Sequence, residues 1–128
     1  MIDHIGIQVT DLDKSIAFYA KALAPLGYTV LMKHPGFAGL GIGQKPDVWL
    51  GTPDTMGGSK TISRVHVAIV AKGRAIVREF YEAAIAAGGK DNGAPGLRPQ
   101  YHEHYYGAFV LDPDGHNVEA VCHEAYLG

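Results

Sequence analysis

Apolar and polar positions alternate from the start of the chain. Ile5, Ile7 and Val9 are interleaved with His4, Gly6 and Gln8, the period-two pattern of a strand with one buried face. The period then lengthens. Ile16, Tyr19, Leu23 and Leu26 share one helical stripe, with Asp11 or Asp13 placed to cap its start and Pro25 and Gly27 to end it. Short strands are expected over 29–33 and 37–42, turned by Pro35-Gly36, and again over 47–51. The succession then restarts. Val65, Val67 and Ile69 alternate with Arg64, His66 and Ala68, and a second stripe of Ile76, Phe80, Ala84 and Ala87 stops at Gly88-Gly89. A strand near 89–93 and a hairpin of 106–111 with 117–121 across Asp112-Pro113-Asp114-Gly115 complete the second set.

The residues repeat as well as the pattern. His4-Ile5-Gly6-Ile7 matches His66-Val67-Ala68-Ile69 at a spacing of 62, and the same spacing lays Phe18-Tyr19 on Phe80-Tyr81 and Gly27 on Gly89. Asp47-Val48-Trp49-Leu50 matches Asn117-Val118-Glu119-Ala120 at a spacing of 70, so the second copy carries 8 extra residues (70 − 62) between Gly89 and Asp112. The expected fold is α+β: two tandem βαβββ modules, 1–53 and 62–128, forming a curved mixed sheet around a shared cup. A polar, glycine-bearing linker over 54–61 joins them.

Composition narrows the function classes. The 128 residues are 47% hydrophobic and 19% charged, which suits one packed domain rather than a disordered chain. A net charge of −2 offers no basic field for nucleic acid or an anionic membrane, and no stretch approaches the roughly 20 apolar residues of a spanning helix. The start of the chain does not read as a signal peptide. A single cysteine, Cys122, forms no intrachain disulfide, which points to a reducing, cytoplasmic setting and a buried apolar role for the thiol.

Seven histidines remain to be placed. A lone histidine in a strand is more often a hydrogen-bonded core residue than a ligand. His4 and His66 are not alone: they hold the same place in each copy, opposite the face that packs inward. Glu119 lies between Val118 and Ala120, and a buried carboxylate there needs a partner. Two imidazoles and a carboxylate around an open cup suit a first-row divalent metal and leave positions for substrate and water. Within the inserted segment, Arg98 can neutralise an anionic substrate group, while His102 and Tyr106 are candidates for proton transfer and Tyr101 for substrate contact. His104 and Tyr105 accompany them, and His102 with His104 forms a weak alternative metal pair. Gln8 and Trp49 are further candidate substrate contacts. His34, His116 and His123 are expected at the surface.

The chain resembles the vicinal oxygen chelate superfamily of glyoxalases, extradiol dioxygenases, fosfomycin thiol transferases and bleomycin-binding proteins. The resemblance rests on Asp3-His4-Ile5-Gly6-Ile7 with Asp11 and Ser15-Ile16-Ala17-Phe18-Tyr19, and on Arg64-Val65-His66-Val67-Ala68. It rests most specifically on Phe109-Val110-Leu111-Asp112-Pro113-Asp114-Gly115-His116-Asn117-Val118-Glu119. It implies that His4, His66 and Glu119 are metal ligands, that zinc, manganese, nickel or iron fills the site, and that a small substrate chelates it through neighbouring oxygens. The family pairs its modules either within one chain or across two; the resemblance to short members implies a homodimer here, bringing His4 to His66 and Glu119 of a second copy.

One departure matters. Glyoxalase I-like members carry a fourth ligand, a Glu, on the last strand of module one, where this chain has Trp49. Trp49 either walls the pocket or packs in the core. A three-ligand site resembles those of the dioxygenases and fosfomycin transferases. The expected activity is therefore a metal-dependent lyase, isomerase or dioxygenase, with Glu119 a possible base. The alternatives are a fosfomycin-type thiol transferase and a metal-free, ligand-sequestering protein.

Overall fold

The computed structural model describes residues 1–55 and 61–125. Most of the expected linker therefore lies outside the described residues. Module one runs β1 (Ile5–Gln8), α1 (Leu12–Ala22), a 3-10 turn (Ala24–Leu26), β2 (Thr29–His34), β3 (Phe37–Gly41) and β4 (Val48–Gly51). Module two runs β5 (His66–Val70), α2 (Arg74–Ala86), β6 (Lys90–Leu97), β7 (Tyr106–Leu111) and β8 (Asn117–Cys122).

Each module folds into a four-stranded mixed sheet, ordered β1-β4-β3-β2 and β5-β8-β7-β6. The registers are equivalent. Gly6 stands beside Trp49 in the first sheet, and Ala68 stands beside Glu119 in the second. The spacings of 62 and 70 are thus both real. The difference lies in the second and third strands. β6 has 8 residues against 6 in β2, and 98–105 replaces the tight Pro35-Gly36 turn.

The helices pack against each other between the sheets. Phe18, Tyr19 and Ala22 of α1 and Val77, Phe80 and Ala84 of α2 are fully buried with Ile7, Leu40, Leu50, Val110 and Val118. Ile16, placed by pattern on the buried stripe, lies at its margin, and Leu26 sits in the 3-10 turn rather than α1. Phe18 takes the inner place because it meets Tyr19 edge to face, with ring centroids 5.1 Å apart. Gly89 permits this closeness. A Cβ there would come within 2.4 Å of Val110 and 2.8 Å of the Phe18 ring.

A polar network fastens the modules. The hairpin turn of module two reaches the end of β1 and α1 of module one. Tyr19 donates its hydroxyl hydrogen to Asp112 Oδ2 (2.6 Å), while Asp112 Oδ1 accepts from the backbone N–H groups of Asp114 (2.9 Å) and His116 (2.8 Å). Thr10 bonds Asp114 through both its backbone N–H (3.1 Å) and its hydroxyl. His116 corrects the expectation of a solvated histidine: it is fully buried. Its Nε2 donates to the Gln8 carbonyl (2.7 Å), and its Nδ1 accepts from the Val65 N–H (3.0 Å). That arrangement fits the neutral tautomer carrying its proton on Nε2. A turn residue reads as exposed in sequence. Here the turn itself is roofed by the other module. His34 and His123 are exposed, and Cys122 is buried, as expected.

Among the described residues, no helix is long and apolar enough to cross a membrane.

Candidate functional site

β5 and β8 lie side by side in parallel, and their alternation decides what meets. His66, Ala68 and Val70 turn to the open face of the sheet, while Val67 and Ile69 turn to the helices. Glu119, beside Ala68 and opposite Phe109 of β7, shares the open face but is fully buried. A carboxylate so placed needs partners, and it has two. His66 Nε2 lies 2.8 Å from Oε1, and the Tyr105 hydroxyl donates to Oε2 in a short bond. Burial and the neighbouring Glu119 carboxylate push the Tyr105 hydroxyl up to about 12. The His66 side chain remains 53% exposed, so the pair is shielded on the Glu119 side and open on the imidazole side.

The walls come from three places. The Phe109 ring centroid is 6.1 Å from that of His66, and the Arg98 guanidinium lies over the same Phe109 ring at 5.4 Å. Arg98, just past the end of β6, is held by that strand, donating to the carbonyls of Gly96 and Ala94 (2.8 Å each). Tyr101, His102 and His123 cluster around Tyr105, with ring centroids 5.0, 6.5 and 5.2 Å from it. His102 Nδ1 accepts from the His104 N–H (3.1 Å).

Other expected site residues stand elsewhere. Tyr106 is turned to the helix side, where Arg78 donates to its hydroxyl (3.4 Å) and Arg74 lies over its ring at 5.1 Å. Tyr105 takes its place at Glu119. Counted back from Phe109 through Gly107, strand alternation puts Tyr105 on the Glu119 face and Tyr106 on the other, a signal present in the sequence. Gln8 contributes a backbone carbonyl to His116. Trp49 packs against Phe37, which stacks on His34, so module one has an aromatic run where module two has ionisable groups. His4 is at the open end of β1, bonded to Asp3 (2.7 Å), which also pairs with Lys45 (2.9 Å). These contacts hold the Asp3 carboxyl below its usual range. Among the described residues, no three histidine, cysteine, aspartate or glutamate side chains gather at one point. One chain brings together His66 and Glu119 and leaves His4 outside.

β1 and β5 border a common cleft without pairing. One cavity of about 300 Å³ opens beside His4, Val67 and Val70, and another of about 420 Å³ beside Gly6, Ile7, Val65 and His66. A larger cavity, about 710 Å³, lies over Thr10, Asp13, Lys33 and His34, away from the His66–Glu119 pair.

The chain matches the family described as the glyoxalase/bleomycin resistance protein/dioxygenase superfamily over residues 1–120. It belongs to that superfamily. Solved structures agree on the fold. A glyoxalase/bleomycin resistance protein from Albidiferax ferrireducens T118 is 23% identical, with a TM-score of 0.77 over 95% of this chain and 98% of that one. A lactoylglutathione lyase from Agrobacterium tumefaciens is 20% identical, with a TM-score of 0.70 over 95% and 92%. An E144Q mutant of glyoxalase I from Zea mays is 29% identical, with a TM-score of 0.65. The match covers 94% of this chain but only 46% of that one, so this chain spans about half the maize protein. No curated protein matches in sequence. The superfamily includes metal-dependent enzymes, and the donor set here suits a divalent ion. Two atoms bound to one tetrahedral ion at about 2.0–2.2 Å stand roughly 3.4 Å apart. His66 Nε2 and Glu119 Oε1 are 2.8 Å apart in a direct hydrogen bond, so they share one point on the sheet and would part by a few tenths of an ångström to hold an ion.

Proposed function

We propose that this chain is a metal-dependent enzyme acting on a small, oxygen-rich substrate. His66 and Glu119 supply two ligands, and His4 of a second copy supplies the third. The observation that carries the reading is the buried Glu119 carboxylate, set between Val118 and Ala120, paired with a half-exposed His66 imidazole. When bound, a divalent ion supplies Lewis-acid polarisation of two neighbouring substrate oxygens, in the manner of a lyase, isomerase or dioxygenase. The chain's own residues do the rest. Phe109 gives an apolar floor. Arg98, anchored over it with further N–H donors, receives an anionic group such as a carboxylate. The apolar cleft along β1 and β5 limits the substrate to a small molecule. Of zinc, manganese, nickel and iron, all accept these nitrogen and oxygen donors.

The test is metal analysis of the purified protein after incubation with each ion. About one equivalent per chain is expected, and none after His66→Ala, with the fold still cooperative. Mixing equal amounts of His4→Ala and His66→Ala chains should restore roughly a quarter of the sites, because random exchange makes about half the dimers mixed and each mixed dimer rebuilds one of its two sites. Full metal content in His66→Ala would show that the ligands have been wrongly assigned. No restoration on mixing would confine the site to one chain.

A second reading has its own observation. The His34, Phe37 and Trp49 rings form an aromatic wall suited to a planar ligand, as in a sequestering protein. Trp49 is the only tryptophan, so its fluorescence reports occupancy directly. Quenching by a bleomycin-type ligand in metal-stripped protein would favour that reading. Protection of cells against fosfomycin would favour a thiol transferase instead.

A further inference from the structure

Tyr105 is the group at Glu119 that no ligand assignment requires. Its hydroxyl donates to Oε2, while His66 faces Oε1 (2.8 Å). The two carboxylate oxygens are therefore differentiated before any ion arrives. The chain holds this arrangement at three points. Gly107, next but one to Tyr105 on β7, has no side chain, and a Cβ there would stand 3.2 Å from both Glu119 Oε2 and the Tyr105 ring. Tyr101 packs edge-on against Tyr105 at 5.0 Å, and His123 does so at 5.2 Å. The backbone at Tyr105 is also tied: its carbonyl accepts from the Arg98 N–H (2.7 Å) and its N–H donates to the His102 carbonyl (3.1 Å).

Resting on the metal-centre reading above, we infer that Tyr105 is the positioning residue of that centre: it occupies Oε2 of Glu119 so that Oε1 alone is presented beside His66. A carboxylate held by one oxygen gives the ion a single donor and keeps a neighbouring coordination position for substrate. Without the hydroxyl, the carboxylate is free to rotate and to offer both oxygens. Outer partners of metal ligands act in this way, and their loss commonly weakens binding by about 10–100-fold.

The test uses Co²⁺ and Ni²⁺ alone, in competition with a chelator, on the intact chain. Tyr105→Phe should bind both ions at least about tenfold more weakly, within the range for outer partners. Its Co²⁺ visible spectrum should change in band position, reporting an altered ligand set that a purely structural role would leave alone. Gly107→Ala should also weaken binding, because its Cβ would crowd both Glu119 Oε2 and the Tyr105 ring. Equal affinity and an unchanged spectrum in Tyr105→Phe would overturn the role of Tyr105 and leave the metal centre standing. No uptake of either ion by the unsubstituted chain would overturn the metal centre and this inference together.

Discussion

Modules one and two share a ladder but exchange its contents. In module one, Trp49 sits between Gly6 and Gly39. In module two, Glu119 sits between Ala68 and Phe109 at the equivalent places. The aromatic bulk has moved across one strand. Gly39 makes room for Trp49, since a Cβ there would meet its ring at 2.9 Å. Phe109 instead leaves room for a carboxylate and covers it from water. The histidines follow suit: His4 pairs with Asp3 in water, and His66 pairs with a buried Glu119. Duplication preserved the scaffold, and a few side chains decided which half became polar inside. The extra residues of module two belong to the same difference. They form the connection over 98–105, and Tyr105 at its end completes the Glu119 environment.

The junction is equally unequal. Asp112, Asp114 and His116 insert between the modules, whereas the matching places at the β3–β4 connection are Ile42, Gln44 and Pro46. The strongest way to break the comparison is at the carboxylate. Glu119→Gln should eliminate retained metal, read as metal content per chain, while Trp49→Glu should add no second equivalent. That second substitution should also cost about 3 kcal/mol in denaturant unfolding, through lost aromatic packing and a carboxylate without a tyrosine donor. A second equivalent of metal would show that the modules remain interchangeable.

Next comes the junction. Asp112→Ala removes the acceptor of three hydrogen bonds at a buried position and should cost about 3 kcal/mol by urea unfolding. Ile42→Ala, at the equivalent but exposed place, should change stability by under about 0.5 kcal/mol.

Tyr19→Phe isolates one bond of that network and should cost about 1–2 kcal/mol. It carries a pH signature. Burial, then the Asp112 carboxylate, raises the Tyr19 hydroxyl far above its usual 10.0. A raised folded-state value gives stability that is fully present below pH 10.0 and lost as pH rises towards that folded-state value. Stability should therefore fall on the alkaline side of 10.0, and Tyr19→Phe should flatten that fall. The same slope in both proteins would refute the assignment.

The smallest effect concerns the helix starts. Asp11 caps α1 by accepting from the Lys14 N–H (3.1 Å), and the equivalent Gly73 of α2 has no side-chain cap. A Cβ at Gly73 meets nothing, so Gly73→Asp should stabilise by a few tenths of a kcal/mol, and Asp11→Ala should cost about 1 kcal/mol in thermal unfolding.

Much of this was legible in the chain. Alternation, helical stripes and turn residues located both helices and the other strands, but β6 runs on to Leu97 through the glycine- and proline-bearing stretch after Gly93 that reads as a loop, because pairing with β7 rather than local pattern holds it extended. The spacings of 62 and 70 carried the strand registers, because duplicated modules conserve which residue stands beside which. That register stands Glu119 beside Ala68, two residues along β5 from His66 and on the same face. His116 reads as exposed because it follows a polar turn, and a turn's polarity says nothing of what lies above it. Tyr105 is legible at Glu119 only by counting alternate positions back from Phe109 through Gly107, beyond the start of β7.

By itself, the sequence determined the local order: alternation, helical period and repeat are short-range properties, written in neighbouring residues and enforced by backbone geometry. The tertiary structure alone decided which distant groups share a surface. It placed Tyr105 on one oxygen of Glu119, buried His116 between modules and kept His4 away from His66 within the chain. Those outcomes depend on how two sheets and two helices pack against each other, and such long-range contacts leave no periodic trace in the residues that make them.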